Sequence, residues 1–303
     1  MLLDGKVVIV TGGGRGVGRG IALAAARAGA MVVVNDLGVG ADGGETDGSP
    51  ADAVAREIVE AGGEAIADGE DVASWEGALR LVGGAVKAFG RVDGVVNNAG
   101  ILRDTMFHKM DPDDFDRVID VNLRGPFYVS RAAAPQMKAQ GSGAFVHMTS
   151  SSALIGNLGQ ANYMAAKMGV VGLSTSISLD MERFGVVSNC VVPFAWTRMV
   201  STIPTDTPEQ QKRVEGLKRM VPEKVAPLVV ALLSDEARAR INGQIIGARN
   251  NELYLFSKNR PEQIMHTDDG WTAEAILDRA LPAFETRFLP PTRSGQVFSW
   301  DPV

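Results

Sequence analysis

Short valine-rich runs recur along this chain, each followed by a stretch of helical composition, and few folds accommodate that alternation. Lys6–Thr11 and MVVVND, which ends at Asp36, are apolar without polar interruption, as strands buried on both faces are. Glu64–Asp71 and Val92–Asn97 repeat the theme after the helical stretches Asp52–Ala61 and Trp75–Phe89. Strands spaced by helices imply βαβ crossovers and a parallel sheet. The alternation continues through Asp111–Met137, read as one or two helices bent near Pro126, and a strand at Ala144–Thr149. A long helix at Tyr163–Phe184, a strand at Val186–Val192, a helix at Glu223–Ser234 and a last strand at Gly243–Gly247 complete it.

The fold class expected from this order is α/β: a Rossmann-type doubly wound parallel sheet with helices on both faces. Beyond about Asn250 the pattern stops. Residues 251–303 hold several prolines and aromatic residues and one convincing helix, Thr272–Leu281. They are too short and too broken for a core of their own. Trp271, Phe284, Phe288, Phe298 and Trp300 would be costly to leave in water. The expected organisation is one domain over residues 1–250 and a carboxyl-terminal extension, 251–303, packed on the domain or on a partner subunit.

Across 303 residues the net charge is −6 and no basic run stands out, which disfavours nucleic acid and anionic membranes as main partners. No apolar run approaches the roughly 18 residues of a membrane-spanning helix. The amino terminus MLLDGKVVIV lacks the apolar region of a secretory signal, and the single cysteine, Cys190, permits no intrachain disulfide. A cytoplasmic location is the default. His108, His147 and His266 lie far apart without ligand spacing, so no metal is expected.

Two regions carry chemistry. The first, TGGGRGVG, places Gly12, Arg15, Gly16, Val17 and Gly18 between a strand and a helix. There a glycine backbone approaches a ligand closely, and the free N–H groups of the helix start attract phosphates. The next strand ends at Asp36, placed to accept hydrogen bonds from an adenosine ribose and to repel a 2′-phosphate. Asp36 thus favours NAD over NADP, whereas Arg15 would favour a 2′-phosphate; we weigh Asp36 more heavily. Asp71-Val72 and Asn98-Ala99-Gly100 follow the third and fourth strands, at the carboxyl ends where such sheets bind ligands.

The second region, Thr149–Lys167, ends a strand in a run of hydroxyls and enters a helix carrying Tyr163 and Lys167. Positions i and i+4 share a helical face, with Cβ atoms about 5–6 Å apart. An ammonium beside a phenol favours phenolate and brings an ordinary pKa of about 10 toward the working range of a base. Ser150 is placed to hydrogen-bond the same oxygen as the phenol.

TGGGRGVG, NNAG, Asn122, Ser150 and the Tyr163–Lys167 pair, in this order over roughly residues 3–247, resemble the short-chain dehydrogenase/reductase family. VVVNDLG, NNAGILRD, VNLRGPF and GQANY look most like its (3R)-hydroxyacyl-CoA dehydrogenase subgroup, the units found in peroxisomal multifunctional enzymes, some of which also act on 17β-hydroxysteroids. The resemblance implies that Tyr163 is the general acid/base and that Lys167 lowers its pKa and holds the nicotinamide ribose. Ser150 would bind the substrate oxygen, and Asn122 would hold a proton-relay water linked to Lys167. Thr197 matches the position that contacts the nicotinamide amide, while Pro193-Phe194 replaces the family's usual Pro-Gly.

The function expected is NAD-dependent interconversion of a secondary alcohol and a ketone, on a 3-hydroxyacyl-CoA thioester or a 17β-hydroxysteroid. An NADPH-dependent 3-oxoacyl reductase is the alternative among enzymes, and an NAD-binding sensor without catalysis is the alternative outside them. Phe194, Trp196, Met199 and Val200 are candidates for an apolar substrate wall, and Arg103, Arg124 and Arg198 for contacts to CoA phosphates. Gly169 and Gly172 would let the Tyr163–Phe184 helix approach another, so a homodimer or homotetramer is expected.

Overall fold

The computed structural model describes residues 1–38, 49–196 and 207–302. The first half alternates β1 (Val7–Thr11), α1 (Gly16–Arg27), β2 (Met31–Asn35), α2 (Pro50–Glu60), β3 (Glu64–Asp68), α3 (Trp75–Phe89) and β4 (Gly94–Asn97). The second half runs α4 (Pro112–Ile119), α5 (Gly125–Gln140), β5 (Gly143–Met148), α6 (Ser151–Leu154), α7 (Ala161–Asp180) and β6 (Val186–Phe194). It closes with α8 (Pro208–Lys218), α9 (Ala226–Leu232), β7 (Ile245–Arg249) and β8 (Glu252–Leu255). The strands form one sheet in the order β3-β2-β1-β4-β5-β6-β7-β8, parallel except for β8. The chain therefore reverses direction across the sheet between β3 and β4, and the site sits at that switch point.

Alternate side chains of one strand feed two cores. Val8 and Val10 of β1 join Val32, Val34, Ile21, Ile58 and Val229 on one face, while Ile9 joins Val33, Val95, Leu81, Val129 and Phe145 on the other. Each fully buried valine contributes about 1.5–3 kcal/mol, and the uninterrupted apolar runs follow from both faces being covered. Local signals set the ends of α3: the Ser74 hydroxyl accepts from Gly77 N–H, and Gly90 closes the helix at φ 78°.

The structure departs from the expected elements at several points. The bend expected near Pro126 lies one turn earlier, as a π turn over Asp120–Arg124, because Asn122 turns its side chain inward to bond the backbone of Ile101. β6 runs through Pro193 to Phe194, beyond the expected end at Val192. Its pairing with β5 ends at Met148↔Val191, whereas pairing with β7 continues to Phe194↔Arg249. Past Val191 the β5 side of the strand is an edge, where a missing N–H costs nothing.

The last expected strand shifts to Ile245–Arg249, and β8 was not foreseen. Asn250, at φ 55°, begins the two-residue turn that lets Arg249 pair with Glu252. The sheet thus continues past residue 250, the expected domain boundary. The expected helix Thr272–Leu281 is Ala273–Ala275, a π turn Ile276–Ala280, and a further segment Leu281–Glu285.

The extension is tied to the sheet by aromatic packing and one buried cation. Phe298 stacks edge-on with Phe194 at 4.7 Å and with Tyr254 at 5.2 Å between ring centroids. Arg249, 3% exposed, pairs with Glu252 at 2.8 Å and donates to the main-chain oxygen of Trp300, whose indole N–H donates to Glu252 at 2.7 Å. Phe288 and Trp300, both expected to be packed, are 60% and 45% exposed.

Candidate active site

The glycine loop joins β1 to α1, and the protein itself fills the space beside its glycines. A Cβ on Gly18 would lie 2.0 Å from the Gly12 carbonyl oxygen and 2.5 Å from the Asn98 amide, and one on Gly12 would lie 2.9 Å from Ala99 Cα. The loop and the end of β4 are in contact because neither glycine has a side chain. Asn98 Nδ2 donates to the carbonyl oxygens of Thr11 and Gly12, both at 3.0 Å. Thr11 Oγ1 accepts from Asn98 N–H at 3.0 Å and from Ala99 N–H at 3.1 Å. Asp36 completes the cradle by accepting from Gly14 N–H at 3.0 Å and Gly38 N–H at 2.9 Å. Thr11 is a loop-shaping residue that the sequence reading did not single out, although it is the first residue of the TGGG run.

The other expected cofactor positions fall around this cradle. Arg15 caps α1 in extended conformation, and Val17 packs on the core. Asp71 accepts from Ala73 N–H at 2.9 Å, and buried Val72 lies against Gly125. Pro193 is the next-to-last residue of β6 and pairs with Ala248. Thr197, Arg198, Met199 and Val200 lie outside the described residues. Phe194 packs with Tyr254 and Phe298 of the extension. Arg103 pairs with Asp114, and Arg124 with Asp120.

β5, α6 and α7 gather the remaining residues. Ser150 leaves β5 and caps α6, its hydroxyl accepting from Ser152 N–H at 3.1 Å. One turn along α7 from Tyr163, Lys167 is 4% exposed; its Nζ donates to the Met148 carbonyl oxygen at 3.0 Å and lies 5.8 Å from the Tyr163 ring centre. Thr149 Oγ1 donates to the Lys167 carbonyl oxygen at 2.8 Å, fastening the end of β5 to α7. Fully buried Asn122 accepts from Ile101 N–H at 2.8 Å and donates to its oxygen at 3.0 Å. Gly100 brings the fourth strand's loop to this group: a Cβ there would lie 3.2 Å from Asn122 Oδ1 and 3.7 Å from Lys167 Nζ.

Burial dominates the electrostatics. It pushes the Tyr163 phenol up to about 12; the Ser150 hydrogen bond opposes the shift and the negative charge of Asp104 adds to it. The lowering expected from Lys167 does not outweigh these effects in the protein alone. Burial also brings Lys167 down to about 8, against a small opposing effect of Cys190. His147, fully buried and next to Met148 in β5, is pushed down to about 3 by desolvation and then by the Lys167 charge, so it is a neutral imidazole. It meets Asn97 Nδ2 at 3.2 Å. A half-buried phenol, a buried ammonium and a hydroxyl can hold and move one proton at an alcohol or carbonyl oxygen. Among the described residues no three His, Cys, Asp or Glu side chains are grouped to hold a metal ion, and no helix is long and apolar enough to cross a membrane.

Known proteins resemble this chain in sequence and fold. The family described as short chain dehydrogenase matches residues 6–207. A short-chain type dehydrogenase/reductase of Mycobacterium tuberculosis is 42% identical over 242 residues, covering 80% of this chain and 82% of its own. Peroxisomal multifunctional enzyme type 2 of Mus musculus is 45% identical over 285 residues, 91% of this chain; the chain spans 37% of that protein's length. A hydroxyacyl-CoA dehydrogenase of Mycobacterium tuberculosis is 35% identical over 274 residues, 88% of this chain and 84% of its own. The crystal structure of a short chain dehydrogenase from Mycobacterium avium, 38% identical, superposes with a TM-score of 0.82 over 97% of this chain and 99% of that one. The matched fold and the extent of these likenesses place the chain in the short-chain dehydrogenase/reductase family.

Proposed function

We propose that this oxidoreductase oxidises a 3-hydroxyacyl-CoA thioester with NAD, with Tyr163 as general base and Ser150 and Lys167 as its partners. The family acts on CH–OH groups with a nicotinamide cofactor, and this cofactor supplies the hydride acceptor. One observation carries the reading: Ser150, Tyr163 and Lys167 converge at the carboxyl end of β5, two strands from the glycine loop that ends β1.

The residues present fit a dinucleotide. Gly12, Gly16 and Gly18 with the start of α1 would hold the phosphates, α1 having no acidic residue in its first turn to oppose them. Asp36, already beside the loop, would accept from the adenosine ribose, and its charge favours NAD over NADP. Asn98, Ala99 and Gly100 would flank the middle of the cofactor, with Tyr163 and Lys167 at the nicotinamide ribose. Tyr163 takes the substrate hydroxyl proton while Ser150 holds that oxygen. Lys167 supplies positive charge below the ring, and Asn122 fixes the loop of Ile101 from which a relay water would be held.

The thioester class rests on the hydroxyacyl-CoA dehydrogenase among the relatives. Arg103 and Arg124 already hold carboxylates, which weakens their case as phosphate contacts. Residues 1–250 would form the catalytic domain and 251–303 an extension packed upon it. For assembly we favour a homodimer or homotetramer through α7, whose outward face carries Met168 and Leu179, 41% and 70% exposed. Gly169 makes room instead for Leu123 of the same chain, and only Gly172 is open. The single buried thiol Cys190 suits a reducing, cytoplasmic setting.

The deciding experiment is a screen of 3-hydroxyacyl-CoA thioesters of varied chain length beside 17β-hydroxysteroids, with NAD and with NADP. Reduction of NAD by the thioesters, with higher kcat/KM than with NADP, is the expected result. Cofactor binding without turnover on any alcohol would sink the enzymatic reading, and preference for NADPH with 3-oxoacyl substrates would replace it.

A further inference from the structure

A carboxylate outside the residues above acts on the catalytic phenol. Asp104, exposed on the loop after β4, accepts at Oδ2 a 2.7 Å hydrogen bond from Nε2 of buried Gln160. Gln160 stands at the start of α7, three residues before Tyr163, and its Oε1 accepts from Asn157 at 3.0 Å. The main chain repeats the link: Thr105 N–H donates to the Gly159 oxygen at 2.8 Å. Asn162 adds a third tie, donating to the Arg103 oxygen at 2.9 Å and accepting at Oδ1 from Tyr163 N–H at 2.7 Å. Two loops that meet only through the fold are thus bonded across the residues flanking the phenol.

The charges around Tyr163 come from few places. Asp104 approaches from the loop after β4 and raises the phenol's pKa, while Lys167 lies beneath the ring from α7. Ser150 contributes a neutral hydrogen bond from the end of β5, and His147 of β5 is a neutral imidazole. The adjacent Arg103 is engaged with Asp114 at 2.7 Å. Desolvation raises Asp104 itself, and the Gln160 hydrogen bond pulls the other way.

We propose that Asp104 and Gln160 are positioning residues, a pair that locks the loop after β4 to the start of α7 and so fixes the Tyr163 phenol toward Ser150. This rests on Tyr163 being the acid/base of the reaction. The pair acts through Tyr163 and adds a fixed negative charge that favours the protonated phenol. Asp104 thereby raises the pH at which the phenol becomes the base that the oxidation uses.

The test compares Asp104→Asn, which keeps the shape and an oxygen for Gln160 but removes the charge, with Gln160→Leu, which keeps the charge but removes both hydrogen bonds. NAD-dependent oxidation is followed across pH, with KM for NAD and the melting temperature measured for each variant. In Asp104→Asn the acidic limb of kcat/KM should move to lower pH, and Asp104→Glu should restore it. In Gln160→Leu kcat should fall about tenfold at unchanged KM for NAD, as a misplaced catalytic group would cause. An unmoved limb in Asp104→Asn overturns the electrostatic half, and a native kcat in Gln160→Leu overturns the positional half. If Gln160→Leu melts early, Asp104→Asn at an exposed site decides alone. Tyr163→Phe runs alongside: turnover surviving there sinks the reading of the site itself, whereas an inactive Tyr163→Phe with an unmoved Asp104→Asn limb sinks only the pair.

Discussion

The ammonium of Lys167 and the main-chain oxygen of Met148 are joined by a 3.0 Å hydrogen bond, which anchors a buried cation to the strand that ends at Ser150. Its pKa falls from the ordinary 10.5 to about 8, so between these values the unfolded chain binds a proton that the folded chain does not. Stability from this group therefore rises with pH across that window and is lowest below pH 8, where the ammonium is buried. Lys167→Met removes the dependence. Denaturant unfolding without cofactor should show wild type gaining on the variant by roughly 3 kcal/mol as pH rises through the window. A difference that stays flat with pH would contradict the burial of a charged Lys167.

Tyr163→Phe deletes the hydroxyl that Ser150 meets and leaves the ring in place. The expected loss in kcat is on the order of 10²–10⁴-fold. The dissociation constant for NAD, measured by calorimetry, should stay near that of wild type. Wild-type-like turnover would remove Tyr163 from the mechanism.

Asn122→Leu strips both polar groups of buried Ile101 of their partner, a side chain that is itself fully buried. Each orphaned group costs about 1–3 kcal/mol, so a total destabilisation of roughly 2–5 kcal/mol is expected. Thermal and urea unfolding measure it, and a variant as stable as wild type would show that the π turn does not depend on this clamp.

Asp36→Asn removes the charge and keeps an acceptor oxygen for one of the two N–H groups, Gly14 at Oδ2 and Gly38 at Oδ1, that the carboxylate serves. The ratio of kcat/KM for NADP to that for NAD should rise by about tenfold, since the repulsion of a 2′-phosphate is relieved. An unchanged ratio would assign cofactor choice to another residue.

How much of this was legible beforehand varied with the kind of signal. The β1–β6 order and the limits of α3 were readable because valine runs buried on both faces and a serine–glycine pair of caps are local. β8 was missed because its pattern is short and only half buried; the Asn250-Asn251 turn was the available cue. Spacing put Tyr163 and Lys167 on one helical face, the family resemblance picked Ser150 out of the serine run, and in the structure Lys167 lies 5.8 Å from the Tyr163 ring centre. Their pKa values were not readable, because desolvation depends on everything packed around them and raises the phenol where the sequence led us to expect Lys167 to lower it. Asp104 and Thr11 escaped notice for a related reason: each acts through a contact with a segment remote in the chain.

The clamp of Thr11 and Asn98 on the glycine loop has a kinetic consequence. A loop whose shape is fixed by side chains of the next strand, with Gly18 seated against the Gly12 carbonyl, has little freedom left to lose when a dinucleotide arrives. Cofactor association should then resemble insertion into a rigid slot, a single fast step without slow rearrangement. Loosening the clamp with Asn98→Ala would turn it into a slower, two-phase binding reaction whose penalty appears as lost entropy.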